Sequence, residues 1–175
     1  MVPGNYTAHR ASAEVPAPDN ALKGPFPLTS TDPGRAPPPW ALRLGYAGLI
    51  PFVFGAALVH LVDRSLMPFT MLALAGYAAT VASFLGGIHW GLAMRDAAHT
   101  RLFPYVWGAI PSVLASIAVI MPPWASLVVL GLLLAGCYAV DRRLYVHYHM
   151  QGWLQLRLRL TIVASLSCMV GAYDM

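Results

Sequence analysis

Charge is the first thing this chain has little of. Eleven Lys and Arg with seven Asp and Glu make up 10% of the residues, against roughly 25% in a soluble globular domain. With 58% of the sequence hydrophobic, that shortage excludes an ordinary water-soluble fold. Cysteine is scarce too. Cys137 and Cys168 both fall in apolar stretches, at depths about 9 Å apart on a rise of 1.5 Å per residue, beyond the reach of an unstrained disulfide. They are therefore expected to be buried free thiols. Catalytic motifs are missing as well: there is no Walker loop, dinucleotide glycine fingerprint, Ser-His-Asp pattern or pair of carboxylates within a span. A conventional enzyme is not expected, and nothing calls for a cofactor or a bound metal.

What is present is a chain built for lipid. The formal charge of +4 and pI near 9.3 raise the question of nucleic acid, whose phosphates attract Lys and Arg. Here the basic residues flank apolar segments, the pattern of cytoplasmic membrane loops, so no nucleic-acid partner is expected. Residues 1–39 hold nine of the 15 prolines without apolar periodicity, which predicts a disordered tail. That tail lacks the apolar core of a secretory signal. Its Arg10, Lys23 and Arg35 resemble a transit peptide, but Glu14, Asp19 and Asp32 oppose that reading, so a cytoplasmic tail is expected.

Residues 40–175 then read as an all-α membrane domain of about five spans, near 41–61, 68–93, 104–121, 124–140 and 156–173. Each approaches the roughly 20 apolar residues needed to cross a bilayer. The fifth is the weakest, because Arg157 and Arg159 interrupt its start. Their long stems are expected to snorkel to the interface. Ten of the eleven cations lie on one side of this arrangement and Arg64 alone on the other, so the positive-inside rule puts the N-terminus in the cytoplasm and Asp174 outside. Trp40, Trp90, Trp107, Trp124 and Trp153 all lie near span ends, the depth amphipathic rings prefer.

Few residues in the spans could carry chemistry. The second span ends Ser83-Phe84-Leu85-Gly86-Gly87-Ile88-His89-Trp90-Gly91. Gly87 and Gly91, with Gly86 beside them, form a small-residue face that allows close helix packing. His89 within the membrane is costly unless paired or facing a cavity. It is a candidate for a structural bond, a proton or polar-substrate role, or a haem or metal ligand, although no further ligand stands at i+3 or i+4 from it. Asp141, Arg142 and Arg143 lie at a similar depth. Asp141 is able to hydrogen-bond His89 and set its tautomer, or the three form a helix-end cluster facing lipid headgroups. His60, Asp63 and Arg64 belong to the opposite face, and His147 and His149 are expected in a solvated interfacial loop. Pro51 and Pro111 fall inside the first and third spans, where proline can kink a helix. Ser112 and Ser116 share one face, leaving open a polar-lined cavity or ordinary packing. No repeat is evident, and five spans do not divide into equal inverted halves, which argues against common secondary transporters.

The runs Tyr46-Ala47-Gly48-Leu49-Ile50-Pro51-Phe52, Ser83 to Gly91, Trp107-Gly108-Ala109-Ile110-Pro111-Ser112 and Asp141-Arg142-Arg143 resemble the family of domain of unknown function 3429, over about residues 43–173. The resemblance implies a small multi-spanning protein of bacterial inner membranes or of mitochondria. It brings no established activity and no catalytic residue. The leading expectation is a non-enzymatic inner-membrane protein that packs against itself or a partner complex through Gly87 and Gly91. The alternatives are a small permease or proton-coupled binder using His89 and Asp141, and a haem or quinone binder using His89 and Trp90.

Overall fold

The computed structural model describes residues 36–95, 102–147 and 150–173. The expectation of a disordered tail lies outside these residues except at its last four positions, as do Arg101, His149 and Asp174. Among the described residues are six α-helices: α1 (Pro39–Ala47), α2 (Ile50–Leu61), α3 (Met67–Arg95), α4 (Leu102–Val119), α5 (Pro123–His147) and α6 (Leu154–Ala172), the last preceded by a 3-10 turn, Gln151–Trp153. α1 and α2 together form one apolar stretch, Pro39–Leu61, so five stretches are long and apolar enough to cross a membrane. The other four run Met67–Arg95, Leu102–Val119, Pro123–Val146 and Gln151–Ala172.

The fourth of these departs most from the sequence expectation. Its helix does not stop at Val140 but continues through Asp141-Arg142-Arg143 to His147. Residues 137–147 contain no Gly or Pro, and Ala139, Arg142, Arg143 and Leu144 are good helix formers, so the ladder runs on past the apolar boundary. His147 therefore belongs to a helix and not to a loop. The first span departs in the other direction, because it is broken at Gly48 and Leu49. Pro51 occupies the first turn of α2, where its missing N–H costs nothing. The Tyr77 hydroxyl donates to the Gly48 carbonyl at 2.9 Å, supplying a partner at the break, and the Tyr77 ring meets Phe52 edge-on at 5.0 Å.

The long α3 is the hub, packed against α2, α4, α5 and α6, while α5 pairs with α6 and α6 also meets α1 and α2. The turns at Val62–Leu66 and Ile120–Pro122 are short, so consecutive spans are antiparallel.

Large apolar residues stand outside as well as in the core, where Phe52, Met71, Leu127, Leu130 and Leu134 are fully buried and alanines fill much of the rest. Ala75, Ala78, Ala82, Ala93, Ala115 and Ala118 are buried, while Leu44, Phe54, Phe69, Phe84, Leu102 and Ile120 face outward. Lipid tails solvate a leucine as well as a protein core does, so the helices associate through close backbone approach and dispersion. The tightest approach is Gly86 against Gly108, where a methyl on Gly86 would collide with the Gly108 carbonyl. Pro111 completes that contact from α4. Gly131 makes a second one: Ser165 of α6 donates to its carbonyl at 3.0 Å. Among the described residues the Gly87 and Gly91 face does not pack, since neither has an atom within 4 Å of where a side chain would start. Nor do Ser112 and Ser116 line a cavity beside Pro111, because Ser116 is exposed and returns its hydroxyl to the Ser112 carbonyl at 2.8 Å.

Candidate functional site: a buried His-Asp-Arg network

Three helices bring their few polar side chains to one point, near the end of the bundle where α3 and α5 finish and α6 begins. His89 lies six residues before the end of α3 and Asp141 six residues before the end of α5. Each is thus about 9 Å from its helix terminus at 1.5 Å per residue. Both are 1% exposed. His89 Nε2 is 2.8 Å from Asp141 Oδ1, and with the carboxylate as acceptor the imidazole carries its proton on Nε2.

Arg157 reaches the same carboxylate from α6. Its Nε donates to Asp141 Oδ2 at 2.8 Å, and its side chain is only 12% exposed. The expected snorkelling of Arg157 to the interface is therefore corrected: the guanidinium turns inward, because the buried carboxylate of Asp141 on the neighbouring α5 offers it a better partner than a headgroup. Arg157 also stands in the first turn of α6, the end of a helix dipole that disfavours a cation. The pairing with Asp141 offsets that cost. Tyr145, one turn beyond Asp141 on α5, is buried, and its ring lies 6.5 Å from the His89 ring.

Arg159, two residues along α6, does face outward, with Nη1 3.4 Å from the Tyr46 hydroxyl of α1. Two other candidates do not join the network. Trp90 packs its indole over Gly108 and donates from Nε1 to the Tyr105 carbonyl at 2.8 Å, clamping α3 to α4. Arg142 and Arg143 are exposed on the outer side of α5.

Asp141 and Arg157 cancel in charge, so with a neutral His89 the cluster carries none. Not all its hydrogen-bonding capacity is used: His89 Nδ1 and Arg157 Nη2 are buried and have no protein partner. A neutral imidazole leaves Nδ1 as an acceptor able to take a proton or bond a donor. Iron or another metal would have to use that same nitrogen, because Nε2 is occupied by Asp141. Among the described residues no three His, Cys, Asp or Glu side chains converge. Cys137, one turn before Asp141, and Cys168 are buried free thiols.

Sequence reasoning placed His89 beside Asp141 as one of two readings but missed Arg157 and Tyr145. The signal was in the hairpin arithmetic: Asp141 and Arg157 stand eight residues either side of position 149, so an antiparallel α5 and α6 must carry them at one level.

Apolar helices around a buried ion network define a multi-spanning helical membrane protein. The chain belongs to the family described as Protein of unknown function (DUF3429), whose model matches residues 37–173. It is similar to Transmembrane protein 69 of Xenopus tropicalis, 37% identical over 144 residues, covering 78% of this chain and 54% of that protein. Transmembrane protein 69 of Mus musculus is 27% identical over 139 residues, covering 74% of this chain and 54% of its own length. This chain thus spans about half the length of these relatives. No solved structure matches it.

Proposed function

We propose that this chain is a non-enzymatic membrane protein, a small permease that moves protons together with a small polar ligand through the His89, Asp141 and Arg157 network. The observation that carries this reading is the enclosed carboxylate shared between an imidazole and a guanidinium, with His89 Nδ1 and Arg157 Nη2 left unpaired beside it. Ionisable groups at this depth are expensive, and a purely structural clamp would be built more cheaply from apolar side chains. Protonation at Nδ1 would turn a neutral cluster into one of net charge +1, attracting an anionic or strongly accepting ligand. We place the site at the cytoplasmic end of the bundle, in a bacterial inner membrane or at the corresponding end in a mitochondrial inner membrane.

The test is proton uptake into proteoliposomes loaded with a pH-sensitive dye. Wild-type protein should acidify the lumen under an imposed gradient, with His89→Gln lowering the rate at least tenfold while the protein stays folded. Equal rates for both proteins and for empty vesicles would reduce the network to a clamp.

A second reading has its own observation. On α3 the residues Gly76, Thr80, Gly87 and Gly91 share the meridian opposite the buried face, and none of its three glycines meets another helix of the chain. Elsewhere on α3 the outward positions include the large apolar residues Phe69, Leu72, Phe84 and Met94. We propose that this groove receives a helix of a second copy, or of a partner complex in the same membrane, since shallow small-residue grooves favour close helix pairs. Gly87→Leu should then abolish a dimer or larger complex seen on mild extraction, and a wild-type protein that is monomeric and has no co-purifying protein would exclude it.

A further inference from the structure

The outward guanidinium of Arg159 has a setting that neither reading uses. At the end of the bundle holding the buried network, Arg43, Arg95, Arg142, Arg143 and Arg159 are all exposed. Among the described residues the one carboxylate at that end, Asp141, is buried and paired. The described surface there carries charge of one sign. On the α1 and α6 flank it also has a defined shape. Gly45 lets α1 lie directly on α6, where an added methyl would stand 3.2 Å from Leu160 Cδ1 and 3.8 Å from Leu156 Cδ1. That contact sets the register of α1 on α6, and Tyr46, the residue after Gly45, reaches Arg159 across it. Tyr46 stands one turn from Arg43, a spacing that makes the two neighbours on the helix surface. Arg159 Nη1 is 3.4 Å from the Tyr46 hydroxyl, a long contact for a guanidinium that meets no carboxylate among the described residues. Trp40, 65% exposed, lies one turn before Arg43.

We infer that Arg43, Tyr46 and Arg159 form a seat for the phosphate of an anionic phospholipid headgroup. Guanidinium forks match phosphate oxygens in geometry and charge. The Tyr46 hydroxyl supplies a third donor once a phosphate replaces the weak Arg159 contact. Trp40 provides the amphipathic ring that belongs at headgroup depth. The flanking outward residues Leu44 and Ile162 give the acyl chains an apolar surface to lie on. Diffuse attraction to the remaining arginines would not distinguish this flank from the α5 flank, whereas a built seat does.

The experiment is native mass spectrometry of the protein released from vesicles of phosphatidylcholine containing a minority of phosphatidylglycerol. Wild type should retain phosphatidylglycerol in preference to phosphatidylcholine. The double variant R43Q/R159Q should lose at least about tenfold of that preference, given the usual contribution of each basic residue near an anionic surface. R142Q/R143Q, an equal change of charge on α5, should keep it. Equal losses in the two double variants would overturn the seat in favour of diffuse charge, and so would a wild type with no preference. Inorganic phosphate added to detergent-solubilised wild type provides the other arm. If it displaces retained lipid at concentrations where chloride does not, with no preference among lipids, the site is one for free phosphate and the lipid assignment fails. Should R43Q/R159Q not fold, Tyr46→Phe with Arg159→Gln is compared with wild type in the same assay, and unchanged retention overturns the proposal.

Discussion

Asp141 is the residue on which the most depends. It accepts from His89 on one oxygen and from Arg157 on the other, so its loss would strand a buried cation. Asp141→Asn is expected to destabilise the folded protein by about 3–5 kcal/mol, the usual result of removing one partner of a buried pair. The double change Asp141→Leu with Arg157→Leu should recover most of that stability, because two apolar side chains leave no unpaired charge. Denaturation in mixed micelles, followed by circular dichroism, measures both. A double variant no better than the single one would show that Arg157 is held by something other than the carboxylate.

Gly86 makes a second prediction at the same scale. A methyl there meets backbone, the Gly108 carbonyl, and backbone cannot rotate aside. Gly86→Ala should therefore destabilise by about 1–3 kcal/mol, the range for overpacking, while Gly87→Ala, whose Cβ would find open space, should leave the isolated chain's stability nearly unchanged. The two neighbouring glycines look alike in sequence. Thermal melts of the two variants separate them.

Among the elements, the first span is the one the structure reshapes. α1 ends at Ala47 and α2 starts at Ile50, and the Tyr77 hydroxyl of α3 supplies a bond at the Gly48 carbonyl between them. Tyr77→Phe keeps the ring contact with Phe52 and removes only that bond. It should cost about 1 kcal/mol, the net worth of one hydrogen bond, and should speed amide hydrogen exchange around Gly48 and Leu49 more than elsewhere. Exchange raised uniformly along α1 and α2 would mean that the break is not held at this point. α5 carries the complementary lesson. An end placed at Val140 follows hydropathy, but a helix ends where its backbone ladder ends, and nothing in Asp141-Arg142-Arg143-Leu144 breaks one. Hydropathy marked where the lipid stops; propensity carried the helix about two turns farther, and that extension keeps Asp141 at helical register with Tyr145.

For the whole molecule, an odd number of crossings puts the two ends of the described domain on opposite sides of the membrane. Reporter fusions before Trp40 and after Tyr173 should therefore report different compartments, with the first on the cytoplasmic side if the arginine asymmetry sets orientation. The protein should also resist extraction by alkali, since its outward surface of Phe54, Phe69, Phe84 and Ile120 has no other solvent than lipid. Release by alkali, or two ends in one compartment, would remove the membrane-spanning arrangement.

The sequence alone was enough for the solvent, the number of spans and the general position of the polar residues. Apolar length and the uneven placement of arginines are properties of a linear chain, and the bilayer reads them locally. Only the tertiary structure decided which of two adjacent glycines touches a neighbouring helix, and which of two arginines, Arg157 or Arg159, turns inward. Those choices depend on the rotation of each helix about its axis and on its register against its neighbours. Both are set by contacts between residues far apart in the chain, and a helix that is apolar all round gives no sign of them in its own sequence.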